Sequence, residues 1–367
     1  MAPLFAALLD QAPPDAGAPS TGELLSLAQK ALSLRRLGKS EMFALARTLP
    51  SSAWDWLEEC VNMDAARVAL AAPALAGTVF GPRTSAFAFL RQSLSAPEPV
   101  GGPAMLVDAL LAACQALGVT VRTQAPARAL RVGAQGVEGV ELAGGEVLAC
   151  RAVLSSLSPK TTLLGLVPAG TLGERAERAA QGFRARGATA VLRLALSEPP
   201  RFAGRENEPV EHALSARNLL ELERASDCLK YRKLPSDPWV EVRVPSRADP
   251  RLAPAGQAVA IVQCHTVPHD LSGEGGWNDG TRARLQRALL AAFERLAPNV
   301  SSKIVAQELL TPLDIERRYG TLGGHIYDGE LALDQLWVQR PSLGLGRYRT
   351  PLAGLYLGGS GSHPGGP

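Results

Sequence analysis

The chain has 367 residues, 46% of them hydrophobic and 20% charged, the composition of a globular protein with room for roughly two domains. A formal charge of +3, the absence of any basic run and an aromatic content of 5% exclude a nucleic-acid surface or a base-stacking platform. No stretch is long and apolar enough to span a bilayer, and residues 1–11, though apolar, lack the basic start of a signal peptide.

In chain order, Ser20 and Glu23 form a capping box before an apolar run carrying Leu24, Ala28, Ala31 and Leu32, which predicts a helix ending near Gly38. Helical text continues through Phe43, Leu45, Leu57 and Val68, with breaks expected at Pro50 and Pro73. Gly101, Gly102 and Pro103 open a cleaner helix over 104–117, expected to bury Leu106, Leu110, Leu111 and Cys114 and to end at Gly118. A strand over 119–122 should follow, then strands over 129–132, 136–142 and 147–154, with a hairpin turn at Gly144 and Gly145. Further strands are expected over 188–196, 239–244 and 259–264. Val240, Val242 and Val244 alternate with Glu241 and Arg243, which predicts a sheet with one covered face. Leu285, Leu289, Phe293 and Leu296 place an amphipathic helix over 282–296, closed by Pro298.

The cysteines (Cys60, Cys114, Cys150, Cys228 and Cys264) are scattered and odd in number, without C-x-x-C spacing. They read as reduced thiols of a cytoplasmic protein, one compatible with peripheral membrane contact, and not as a zinc site. His265 and His269 have a helical metal-ligand spacing, but Pro268 lies between them and no third ligand is evident. No metal is expected.

The last stretch carries the most information. Leu355, Tyr356 and Leu357 form a short apolar run, and Gly358, Gly359, Gly361, Gly365 and Gly366 follow almost at once. A strand running into glycines lets the backbone turn sharply and approach a ligand, since no Cβ intervenes. By composition alone the same stretch is also a flexible glycine-rich tail. The flanking text narrows the choice: TPLDIERR over 311–318, GGHIYDGELALDQ over 323–335, the Arg340-Pro341 pair and YRTP over 348–351. Together these resemble the C-terminal signature of the phytoene-desaturase-like flavoproteins, in the branch of the pyridine nucleotide-disulfide oxidoreductase domain-containing proteins. SSLSPKTT over 155–162 resembles the same family's return from its β-meander to its substrate domain.

The resemblance implies an α/β (mixed α+β) chain with part of an FAD/NAD(P)-binding two-dinucleotide-domain fold and a mixed sheet-and-helix substrate domain. It divides the chain into a helical part of the substrate domain (1–100), an FAD-side helix, strand and meander (101–160), the substrate domain (161–320), and a return to the FAD side (321–367). It implies FAD as cofactor, a small hydrophobic substrate such as an isoprenoid, and chemistry carried largely by the flavin. The family residues near the flavin map onto Gly358, Gly359, Gly361, Pro364, Gly365 and Gly366, with His363 as the side chain facing the reaction and Ala127 where adenine would meet the backbone.

Two departures stand beside this. The sequence contains no G-x-G-x-x-G, and Gly133, Gly136 and Gly139 read as turn glycines of the meander. The family's G-G-N-I-F-H is Gly323-Gly324-His325-Ile326-Tyr327-Asp328 here. Whether Arg340 pairs with Asp334, with Glu330 or with a ligand is open, an exposed ion pair being the commoner outcome. The readings are therefore a FAD-dependent oxidoreductase cut short at both ends, a non-catalytic remnant holding FAD weakly or not at all, or a chain whose other half is supplied separately.

Overall fold

The most regular part is a five-stranded antiparallel sheet, and hydrophobic alternation builds it. The computed structural model describes residues 20–36, 38–48, 50–86, 101–273 and 275–365; residues 1–11 and Gly366, discussed above, lie outside that set. Helices α1 (Thr21–Arg36), α2 (Lys39–Thr48), α3 (Ala53–Cys60) and α4 (Asp64–Leu75) come first, followed by α5 (Pro103–Ala116). Strands β1 (Ala127–Gly133), β2 (Gly136–Leu142), β3 (Val147–Ala149) and β4 (Val153–Ser155) lead through a π-helical turn (Thr161–Leu166) to α6 (Glu174–Gly182). Next come β5 (Ala190–Leu196), β6 (His212–Leu214), α7 (Leu219–Tyr231), β7 (Glu241–Arg243), α8 (Pro245–Ala248) and β8 (Ala258–Cys264). The chain finishes with α9 (Asp279–Leu296), β9 (Ile304–Leu310), α10 (Pro312–Tyr319) and β10 (Leu355–Leu357).

The large sheet has the order β6-β7-β8-β5-β9. Leu192, Leu194, Leu196, Val240, Val242, Val262 and Ala260 point to one face and are fully buried. They meet Leu285, Leu289, Ala292 and Phe293 of α9, whose start is fixed by a reciprocal cap between Asn278 and Thr281. The other face is mixed: Val191, Ala195, Val259 and Ile261 are half-buried among exposed Arg193 and Arg243. A second apolar cluster joins α3 and α4 to Leu219, Leu222 and Trp239. Pro73 lies inside α4 and does not break it; the helix runs two residues further, to Leu75.

The capping box at Ser20 and Glu23 forms as expected, with Ser20 N–H donating to Glu23 Oε2 at 2.7 Å and Glu23 N–H to Ser20 Oγ at 3.3 Å. Three expectations fail around α5 and the meander. Helix α5 forms, yet none of its residues is buried, and Leu106 and Leu110 are more than half exposed. Residues 119–122 form no strand, because an isolated segment has no neighbour to accept its ladder hydrogen bonds among the described residues. The run over 147–154 splits in two: β3 pairs antiparallel with β2, whereas β4 leaves the meander and pairs parallel with β10.

Leu110→Ala should therefore change stability by about 0.5 kcal/mol or less, as expected for an exposed site. Leu192→Ala should cost about 2–5 kcal/mol, the usual range for a fully buried leucine. Urea unfolding of the two variants beside the parent chain measures both.

Candidate functional site

The parallel pair β4–β10 places two chain segments side by side at its carboxyl end. After Leu357 the chain enters the glycine loop; after Ser155 it enters the serine-proline segment, and Gly358 N–H donates to Ser155 O at 2.7 Å. Such carboxyl ends are where open sheets bind ligands.

The loop glycines are required by the chain itself. A Cβ on Gly359, whose φ is +73°, would come within 2.9 Å of Ser156 O, and one on Gly361 within 2.5 Å of Pro159 Cδ. At Gly365 it would overlap Arg340 Cδ at 2.3 Å. Gly358 is less constrained, its nearest neighbour being Leu154 Cδ1 at 3.2 Å. Ser362 Oγ donates to Gly358 O at 3.2 Å and closes the turn. Leu154 itself is 71% exposed beside the loop.

Arg340 is the centre of this region and is no surface ion pair. It is fully buried. Its Nε donates to Ser360 O at 2.8 Å, Nη1 to Glu330 O at 3.0 Å and Gln335 O at 3.2 Å, and Nη2 to Tyr327 O at 3.1 Å and Gly329 O at 3.2 Å. The guanidinium also lies 5.6 Å from the centroid of the Phe183 ring. Its sequence-predicted partners are engaged elsewhere. The buried Glu330 carboxylate accepts from Arg186 Nη2 at 2.7 Å, and Asp334 accepts from Arg184 Nη2 at 2.6 Å.

His363 is buried, with Nδ1 3.2 Å from Tyr348 Oη and the two rings edge to face. Pro364 O accepts from Trp337 N–H at 3.3 Å. Ala127 stands exposed at the first position of β1, in the separate meander sheet. The structure thus gathers Gly358, Gly359, Gly361, His363, Pro364 and Gly365 in one loop. Ala127 is the member on a different sheet.

The turn over 323–329 is the part sequence reasoning weighted least. His325 is 1% exposed; its Nδ1 accepts from Tyr327 and Gly329 N–H at 3.1 and 3.3 Å, which leaves Nε2–H to donate to Gly77 O at 3.2 Å. Burial, only partly opposed by the Glu330 charge, lowers its pKa to about 4. Asp328 follows with φ +51° and 9% exposure, and burial raises its carboxyl to about 6. A Cβ on Gly361 would lie 3.2 Å from Asp328 Oδ2, so this carboxyl adjoins the loop. Asp328 Oδ1 and, next to Pro159, Ser158 Oγ are buried with no hydrogen-bond partner among the described residues. The swap of the family's histidine for aspartate was visible in the sequence; its closeness to Gly361 was not.

The two histidines read as a weak metal pair serve other roles. His265 bridges Thr189 Oγ1 at 3.0 Å and Glu241 Oε2 at 3.3 Å, whereas His269 contacts Asp270 at 2.9 Å and Glu316 at 2.7 Å. Burial alone would raise the Glu241 pKa, but bonds from His212 and His265 outweigh it and hold the group strongly ionised.

With this geometry in place, the sequence profile of the flavin containing amine oxidoreductases matches residues 18–366. The chain belongs to that family. It is 30% identical over 386 residues to the rat "Pyridine nucleotide-disulfide oxidoreductase domain-containing protein 2", covering 98% of this chain and 66% of the relative. It is also 26% identical over 268 residues to the lycopene-forming phytoene desaturase of Pseudescherichia vulneris, covering 73% of this chain and 52% of that one. Among solved structures, an oxidoreductase from Methanosarcina mazei superposes with a TM-score of 0.54 at 15% identity, over 94% of this chain and 68% of that chain. An A394C mutant of putrescine oxidase gives 0.51 at 15% identity, over 85% of this chain and 62% of that chain. At such identities these two superpositions speak for the fold alone. No helix among the described residues is long and apolar enough to cross a membrane.

Two outcomes follow. Arg340→Met, which strands the five carbonyls, should destabilise the chain by about 3 kcal/mol or more by chemical unfolding. The second concerns pH. A histidine with a lowered folded pKa binds its proton more readily when unfolded, so its contribution is present above 6.5 and lost as pH falls toward 4. Asp328 has the opposite sign: its raised pKa favours the fold below 3.8 and loses that contribution as pH rises through 6. Thermal unfolding from pH 7 to 4 should show a shallower acid loss for His325→Asn than for the parent, and a steeper one for Asp328→Asn.

Proposed function

We propose that the chain is the substrate-side and ring-side part of an FAD-dependent oxidoreductase. The observation that carries this reading is the glycine loop at the carboxyl ends of the parallel strands β4 and β10, in a chain of a flavin-containing family. A bound flavin supplies the two-electron acceptor. Gly358 leaves the backbone accessible beside exposed Leu154, His363 and Asp328 border the loop, and Arg340 holds its shape.

These residues fit the ring end of FAD. The pyrophosphate end normally rests on a helix N-terminus, where oriented N–H groups and the helix dipole stabilise negative charge. In this reading residues 101–160 and 321–367 form the flavin side, and 161–320 together with the N-terminal helices form the substrate side. A hydrophobic, desaturase-type substrate is supported by the phytoene desaturase relative. Exposed Arg193 and Arg243 make the second face of the large sheet only partly apolar.

A second reading has its own observation. Helix α5 buries no residue, and the sequence carries no G-x-G-x-x-G. That favours a chain that, by itself, holds FAD weakly or not at all. One experiment separates the two: the purified chain is mixed with excess FAD, passed over gel filtration, and read by flavin absorbance and fluorescence quenching. Stoichiometric bound flavin supports the first reading. Flavin eluting free, at protein concentrations near 50 µM (about 6 kcal/mol of binding needed), supports the second.

A further inference from the structure

Beside the glycine loop stands a buried acceptor with nothing to accept. Asp328 occupies a left-handed backbone position at the end of the 323–329 turn, a conformation uncommon for residues other than glycine and enriched at sites where the surroundings impose it. Its Oδ2 adjoins Gly361 of the loop, and the Leu322 N–H and the Arg340 charge act on the same carboxyl. Oδ1 has no partner among the described residues although the residue is 9% exposed. Across Gly361 stands Pro159, and the residue before it, Ser158, buries a hydroxyl in the same condition. A buried carboxylate oxygen left unpaired costs about 1–3 kcal/mol or more, so a native fold keeps one where something else completes it.

We propose that Asp328 accepts a hydrogen bond from an N–H group of the molecule bound against the glycine loop. This rests on the reading that the loop faces a ligand. The class is set by chemistry. A carboxylate accepts and does not donate, so the partner carries a donor; a pure hydrocarbon leaves the oxygen as it is. The raised pKa, near 6, fits a group that is an ionised acceptor at neutral pH and gains from a donor. The donor has two possible sources with the same chemistry: the imide N3–H of a flavin ring, or the amino group of a substrate.

The test uses the full chain at pH 8 with three probes: riboflavin, 3-methylriboflavin (which lacks the imide donor) and benzylamine. The variants are Asp328→Gly, which suits the left-handed backbone and removes the carboxyl, and Asp328→Asn, which keeps a neutral acceptor. Circular dichroism checks that both fold. With a flavin donor, 3-methylation weakens binding by about tenfold or more in the parent chain and has no effect in Asp328→Gly, with Asp328→Asn between them. With a substrate donor, benzylamine binding is lost in Asp328→Gly and 3-methylation changes nothing. Equal binding of all probes to parent and Asp328→Gly overturns the proposal, as does a parent that binds none. Flavin binding indifferent to both changes, with benzylamine binding also unchanged in Asp328→Gly, leaves the flavin reading standing and sinks this one. Asp328-dependent amine binding without flavin binding does the reverse.

Discussion

A single buried guanidinium holds the C-terminal third together. Arginine carries five N–H donors in a fixed fork, and Arg340 spends all of them on main-chain carbonyls from three stretches: Tyr327, Gly329 and Glu330, then Gln335, then Ser360. Lysine could not do this, since its ammonium has three donors and no planar fork. Each carbonyl so bound is a buried acceptor satisfied by charge rather than by a strand or helix. This is how the irregular turns before and after β10 stay ordered without a ladder of their own.

The consequences reach both ends of that run. Gly329 and Gly365 must be glycine because the arginine and the Phe183 ring occupy the space of a side chain, 2.3 Å from either Cβ position. Glu330 is turned away from Arg340 by its carbonyl and pairs with Arg186 and Arg184, which ties the turn to the entrance of β5. His325 adds a further tie, to Gly77 at the end of the N-terminal helical layer. The glycine loop is thus positioned from behind by a polar scaffold, and its open side is left to Leu154 and Gly358.

How much of this could be read in the sequence depended on the period of the pattern. The large sheet and α9 were legible because alternating valines and a Leu285–Leu289–Phe293 stripe report burial directly. Helix α5 shows where that inference stops: its apolar residues were read as core, but apolarity states a need for cover and not that cover is present. Residues 119–122 fail as a strand for the same reason. In the site, the glycine loop was legible from its motif. Arg340 was misjudged because sequence offers acidic neighbours as partners and gives no sign of convergent carbonyls. Asp328 was seen as a departure from a pattern, and only the fold brings it to Gly361. Strand β9 and helices α6 and α7 were not anticipated, β9 because exposed Gln307 and Glu308 in its middle hide the alternation.

The tie between His325 and Gly77 joins residues 248 positions apart, and Arg184 meets Gln335 across 151. Closing chain loops of that length costs entropy before any contact repays it, so such pairings form late. The five-stranded sheet, whose β7–β8 and β5–β8 partners are nearer in sequence, can assemble first. Helices α3 and α4, covered by Leu219, Leu222 and Trp239, stand between these two extremes of sequence separation.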